Sequence, residues 1–551
     1  MVRPLHLPVR RAVGDCNLNV RGTSPSPISG LAIFALAIFT LCAASMALAT
    51  DVTTHHNDVS RTGQNTHETI LTLANVNAAN FGKLFTMPVD STIDAEPLYL
   101  SSIAIPGQGT HNVVYTVTEN DTVYAFDADT GAPLWNVSVL GSGETASDSH
   151  GCGQITPTIG ITSTPVIDRT SGPHGTIYVV AMTKNSSSTY FQRLHALDIT
   201  TGAEEFGGPV TIQATYPGTG DNSNNGIVTF DPGQYAERAG LLLLNHVIYT
   251  AWTSHCDARP YTGWIMGYNE STLAQTSVLN LTPNGNEGAI WQAGAGIASS
   301  GTNIFVLDAN GTFDTTLTSK GFPSDNDYGN GFLKIVTTGK MHVADYFEMN
   351  NTVTESNNDQ DLGSGGVIIL PIMKDATGKT RSLAIGAGKD SNIYLVDRTN
   401  MGKYSASGNA IYQELSGALP GGVWSMPAYF NGSVYFGPVG NDLMQFTFSQ
   451  AKLGTTAASK SSMAFAYPGS TPSVSANGTK NGIVWAVEHG SNVLHAYNAT
   501  NLASELYNSN QATGSRDLLG TASHFGTPMI VHGKVYVGTT KGVVAYGLLA
   551  K

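Results

Sequence analysis

The stretch "TAWTSHCDARPYTGWIMGY", residues 250–268, sets a hydroxyl, an imidazole, a thiol and a carboxylate side by side. Ser254, His255, Cys256 and Asp257 fall between two runs that read as buried strands. Such a knot is either a stapled turn or one wall of a ligand site. Further along stand Trp291 in "GAIWQAGAG", Asn310 in "LDANGTFD", Asp359 and Asp361 in "NNDQDLGSGG", and Lys389 in "GAGKDSNIYLVDR". The Asp257 carboxylate and the Asn310 amide oxygen are hard donors of the kind Ca²⁺ takes. Trp291 offers a flat face for a planar ring, and Lys389 a cation for an oxygen-rich one. Asp359 or Asp361 is suited to act as a base.

Each residue also has a purely structural reading. Asp257 fits a turn carboxylate that accepts backbone N–H groups. Asn310 precedes Gly311, a turn pair, and Lys389 precedes the polar run Asp390-Ser391-Asn392. Trp291 fits a packed core. His255 has no second histidine at metal-binding spacing. No G-x-S-x-G elbow is present, so a serine triad is not assigned.

The elements that carry these residues form a repeat, with a period of roughly 40 to 60 residues. Its clearest copy is "VVYTVTENDTVYAFDADTGAPLW" from Val113: a strand, a polar turn, a strand, an Asp-containing turn with Gly, and a closing aromatic. Later copies start at Gly175, Asn245, Thr302, Ser391, Gly432, Asn481 and Gly533. Many follow a Pro-introduced strand, as in "TSTPVID", "WSMPAYF", "TPSVSA" and "GTPMIV". One such unit cannot bury both faces of its sheet, and radial stacking solves this. The expected fold is an all-β, eight-bladed propeller of four-stranded antiparallel blades. The unpaired "FGKLFTMPVD" at residues 81–90 is expected to supply the missing outer strand and close the ring.

Only 12% of the 551 residues are charged, and 61 are glycine, which suits short strands and turns rather than long helices. The net charge of -13 and the lack of a basic run in the body argue against nucleic acid as a partner. Residues 1–49 read as a leader. Arginines precede the apolar run "LAIFALAIFTLCAASMALA", which ends on an A-x-A pattern. The run is also nearly long enough to serve as an uncleaved anchor. Both readings export the body, residues 50–551, to a periplasmic or extracellular setting as a single domain. Cys152 and Cys256 are the cysteines left in that body. They form a disulfide, which the compartment permits, or two separate thiols. No C-x-x-C-H is present, so no covalent haem is expected in this chain.

The tandem "YAFDADTGAPLW" units resemble those of pyrroloquinoline quinone (PQQ) dehydrogenases of the methanol and alcohol dehydrogenase type. The segment "HHNDVSRTGQNTHETILTLANVNAANFGKLF" from His55 resembles that family's opening segment. The resemblance covers most of the body. It implies an eight-bladed propeller with PQQ and Ca²⁺ at one end of its channel. It places Ser254 and Asp257 where the family has Ser-x-x-Glu, with Asp257 as a calcium ligand and Ser254 against the cofactor. It makes Trp291 the floor under the quinone and Asn310 the calcium amide, with Ala309 in place of a glycine. Lys389, five residues before Tyr394, falls where the family has a cation over the quinone oxygens. Asp359 or Asp361 falls near the catalytic base. One departure stands out: the family's disulfide between adjacent cysteines has no counterpart. A Cys152–Cys256 bridge would occupy the same rim, built differently.

Three functions follow. The first is an exported dehydrogenase that oxidises an alcohol or sugar and passes electrons to a separate acceptor. The second is a propeller of the same ancestry that has lost PQQ and serves as a scaffold for a protein partner. The third is a metal-assisted hydrolase or lyase using the channel carboxylates.

Overall fold

The computed structural model describes residues 50–550, and the leader expected at residues 1–49 lies outside them. Among the described residues the chain is nearly all β, with one short α-helix at Thr352–Asn357. The repeat copies resolve into consecutive, mainly antiparallel sheets, several of them meanders in chain order. The first runs through Leu98–Ile105, Gly109–Val117, Thr122–Asp127 and Pro133–Ser138. The last adds Phe81–Pro88 as an outer strand antiparallel to Gly542–Leu548. So the strand left unpaired in the sequence pairs with the chain's final strand.

Two residues of the repeat explain how a copy folds and how it meets its neighbour. The Asp or Asn of the turn caps backbone N–H groups just beyond it. Asp127 accepts from Asp129 and Thr130, Asp198 from Thr200, Asn269 from Ser271, and Asp397 from Thr399. This Asx-turn chemistry reverses the chain without a partner strand. The Tyr of the second strand reaches the next sheet. Tyr115 donates to Ile199 O (2.9 Å), Tyr178 to Glu270 O (2.9 Å), and Tyr435 to Ala499 O (2.6 Å). Tyr536, in the last sheet, donates to Ala128 O of the first (2.9 Å). A buried phenol needs such a partner, so each Tyr fixes a sheet–sheet distance as well as filling the core.

Residues 52–65 pass along the first strand of one sheet after another. Val52 bridges Tyr99, and Ile167 N–H donates to Thr53 O at 2.9 Å. Ser299, Ile369, Tyr429 and Val474 donate in turn to the carbonyls of Val59, Ser60, Thr62 and Gly63. Asn65 closes the series on Ile530 O. Arg61, fully buried, donates through Nε to Ile297 O, through Nη1 to His55 O and Thr54 Oγ1, and through Nη2 to Leu241 O. An extended segment with unpaired backbone groups thereby finds a partner in nearly every sheet.

Glu96 is buried beside this segment and accepts the His56 N–H at 2.6 Å. Burial pushes its carboxyl up to about 8, against the pull of that N–H and of Arg61. The folded chain therefore keeps a proton that the unfolded chain releases above about 4.5, and stability falls as pH rises toward 8. His55, His56 and His255 are held below 6.5, mainly by burial, and act in the opposite direction only below 6.5. Glu237, also pushed up to about 8 by burial, acts in the same direction, so between pH 6.5 and 8 the difference between parent and variant isolates Glu96. Glu96→Gln is expected to flatten the fall across that window by about 1–2 kcal/mol relative to the parent. Urea unfolding at pH 6.5 and 8 reads this directly, and equal slopes in the two proteins would refute it.

Candidate active site

Loops from successive sheets meet around a cavity of about 390 Å³. Its walls include Asp257, Trp291, Asp359, Asp361 and Lys389, five of the residues singled out in the sequence. Trp291 lies a few residues ahead of the strand Ala298–Ser300, and the two aspartates ahead of Ile368–Ile369. Lys389 stands two residues past Leu383–Ala387. Asp257 follows Val247–Thr253 in the turn to Trp264–Asn269, where Cys256 and Asp257 both hold left-handed φ angles of 49° and 54°.

Lys389 organises the acidic side. Its ammonium pairs with Asp361 at 2.6 Å and with Asp359. The two carboxylates differ in setting: the Asp359 side chain is 66% exposed and that of Asp361 is 2% exposed. Burial pushes the Asp361 carboxyl up to about 6, with Lys389 pulling it down and Asp359 and Asp257 pushing it further up. Lys389 is held above the usual lysine range: burial opposes its charge, but Asp361 and Asp359 outweigh it. Its ammonium also lies 5.9 Å from the centre of the Trp424 ring.

Asn310 stands just behind the wall. Its amide nitrogen donates to Asp359 Oδ1 at 2.8 Å, and its oxygen is buried with no hydrogen-bond partner. Ser254 is also behind the wall, buried, accepting the Asp257 N–H at 3.2 Å and facing Asp257 Oδ1 at 3.4 Å. It orients Asp257 and does not reach the cavity. Tyr261 donates to the same Asp257 oxygen at 2.9 Å. Cys152 and Cys256 form a disulfide, with Cα atoms 5.5 Å apart, and Cys256 lines the cavity. His255 points away from it. Its ring stacks on His150 at 4.0 Å, and burial pushes its pKa down to about 3.

The sequence reading missed Gln154, Trp424, Tyr467 and Phe525, all of which line the cavity. A signal was present. Trp424, Tyr467 and Phe525 each stand in a loop just ahead of a sheet's first strand, as Trp291 does, so the repeat register marks them, whereas Gln154 lies in the loop between Glu144–Asp148 and Thr158–Ile159.

The donors fit a hard cation and a flat ligand. An orphaned buried amide oxygen is costly unless something binds it. A cation held by Asn310 Oδ1 and by the Asp257 oxygen left free of Tyr261 would satisfy both. Trp291 and Trp424 supply aromatic faces, and Lys389 supplies the one ammonium lining the cavity among the described residues.

No family model matches this chain, and no curated protein is similar to it. Solved structures are similar in fold. The quinohemoprotein alcohol dehydrogenase from Comamonas testosteroni matches with a TM-score of 0.59 at 16% identity, over 91% of this chain and 81% of that one. The fold is that of the quinoprotein dehydrogenase propellers. The quinohemoprotein alcohol dehydrogenase ADHIIG from Pseudomonas putida HK5 gives 0.59 at 14% identity, over the same shares. A europium-containing methanol dehydrogenase gives 0.56 at 12%, over 91% of this chain and 98% of that one. The quinoprotein-like propeller expected from the repeat is therefore found.

Proposed function

We propose that this chain is an exported PQQ- and Ca²⁺-dependent dehydrogenase that oxidises an alcohol or sugar and hands electrons to a separate acceptor. Its body, residues 50–551, is read as a single eight-bladed propeller closed by the strand Phe81–Pro88. The observation that carries the reading is the orphaned Asn310 oxygen, just behind the wall of a cavity lined by Asp257, Asp361, Lys389 and Trp291. Bound together, quinone and Ca²⁺ supply a two-electron acceptor and the Lewis acid that polarises it. Asp257 and Asn310 hold the cation, with Ser254 and Tyr261 fixing the Asp257 carboxylate. Trp291 gives the ring a flat support. The Asp361 carboxylate takes the substrate hydroxyl proton through the oxygen that Lys389 does not hold, since its raised pKa places a base near neutral pH. Asp359, more exposed, tethers the Asn310 amide and shares the Lys389 charge. Lys389 steadies negative charge as it builds on the acceptor's oxygens.

One observation favours a scaffold without cofactor. The Lys389 ammonium is already paired with two carboxylates, which lessens its draw for an acidic quinone. Titration of the purified apo-protein separates the two readings. The dehydrogenase reading expects Ca²⁺-dependent PQQ binding at micromolar quinone with a rise in melting temperature. It also expects Asp257→Ala and Asn310→Ala each to weaken Ca²⁺ retention by about tenfold or more. Absence of calcium-dependent binding leaves the scaffold reading.

A further inference from the structure

The loop 149–157 joins Glu144–Asp148 to Thr158–Ile159, two strands paired with each other. It is held from both sides of the cavity. On one side Cys152 is bonded to Cys256. On the other, Gln154 Oε1 accepts from the Tyr467 hydroxyl at 2.7 Å, and Gln154 O faces His524 Nδ1 at 3.0 Å. Gln154, Cys256 and Tyr467 all line the cavity. At the loop's base Ile155 is buried against Ile159, Met182 and Ala236. Inside the loop the Cys152 N–H donates to Ser149 O. Its outer part thus depends on the disulfide and on Gln154, while its base depends on apolar packing. The two sulfur-bearing residues differ in access: Cys152 is 6% exposed, whereas Cys256 is exposed beside the cavity.

We propose that this loop is a strap across the cavity, and that the Cys152–Cys256 disulfide decides the size of ligand that passes it. With the disulfide closed, molecules the size of a simple alcohol exchange under the strap. A flat multi-ring ligand enters or leaves when the disulfide is reduced and Gln154 lets go. A dithiol supplies the two electrons. Its thiolate attacks the exposed Cys256 sulfur, and Cys152 leaves as a thiolate and takes up a proton. The second thiol of the reductant then displaces Cys256, which is protonated in turn, and the reductant closes into a cyclic disulfide. This concerns access to the cavity and holds whichever flat ligand occupies it.

Hydrogen exchange read by mass spectrometry on the apo-protein, oxidised and then treated with dithiothreitol, tests the strap without any cofactor. Amides of 149–157 are expected to exchange about tenfold faster or more after reduction, with Glu144–Asp148 and Thr176–Asn185 unchanged. The Cys152→Ser/Cys256→Ser double variant should match the reduced state without reductant. Gln154→Ala should give a smaller acceleration with the disulfide intact. Acrylamide quenching in a Trp135→Phe background reads access to Trp291 and Trp424, and it should rise on reduction. Equal loop exchange in both redox states overturns the proposal. So does an acceleration spread evenly over the sheets, which would make the disulfide a global staple, and so does unchanged quenching. A protein that fails to bind PQQ but shows the local acceleration keeps the strap and loses the quinone.

Discussion

Asp361→Asn is expected to lower kcat/KM for alcohol oxidation by about 10²- to 10⁴-fold while leaving the fold intact, because it removes the base and keeps the shape. The parent's kcat/KM should rise with pH through about 6, as the carboxyl raised by burial gives up its proton, and then level off. The Asn variant should lack that inflection. Asp359→Asn makes the control. Its side chain is largely exposed, and its loss frees Lys389 from one of two partners, so a milder loss with the inflection retained is expected. Steady-state rates in PQQ- and Ca²⁺-loaded protein from pH 5 to 8 decide between the two aspartates. If Asp359→Asn is the silent and profile-flattening variant instead, the base is Asp359. If neither matters, the proton leaves by another route and the dehydrogenase reading loses its chemistry.

Arg61→Ala should be the most damaging substitution away from the cavity. Arg61 is fully buried and donates to the carbonyls of His55, Leu241 and Ile297. Truncation strands these oxygens in the interior and uncouples residues 52–65 from two sheets. The expected loss is about 3–5 kcal/mol, the range found when one partner of a buried charged network is removed. Arg61→Lys should recover only part of it, since a single ammonium cannot reproduce a planar fork of donors. Guanidinium unfolding measures both. A loss under about 1 kcal/mol for Arg61→Ala would mean that water replaces the lost donor and that the segment is held elsewhere.

Much of this architecture was legible because the repeat is chemical as well as periodic. The strand Tyr and the turn Asp each perform a local task, a hydrogen bond to the next sheet or a cap on the next turn, so they reappear wherever that task does. The spacings from Trp291 to Asn310 and from Lys389 to Tyr394 are each fixed within one copy, and Trp291 and Lys389 line one cavity with Asn310 just behind its wall. Gln154, Trp424, Tyr467 and Phe525 were harder to see. Their meeting depends on how separate sheets are arranged around the cavity, and no short window contains that. Tyr467 finds Gln154 across 313 residues. The disulfide lay between these cases. The two cysteines of the body were visible in the sequence, but only the placement of the hairpin loop 149–157 beside the "SHCD" turn makes them a bond across the cavity's rim. Ser254 shows the opposite limit, where a matched motif names the residue but not the direction it faces.

The strand Phe81–Pro88 binds Gly542–Leu548, and residues 52–65 wait on strands spread from Tyr99 to Ile530. These early parts of the chain are therefore synthesised long before their partners exist. Until the last sheet emerges, a strand with unpaired edges and a polar thread with unmet hydrogen bonds remain open to other chains. Contacts this distant close slowly, because loop entropy must be overcome before they give anything back. The protein should thus be most prone to aggregate while incomplete, and a C-terminal truncation that removes only Gly542–Leu548 should act as a folding defect at the opposite end of the sequence.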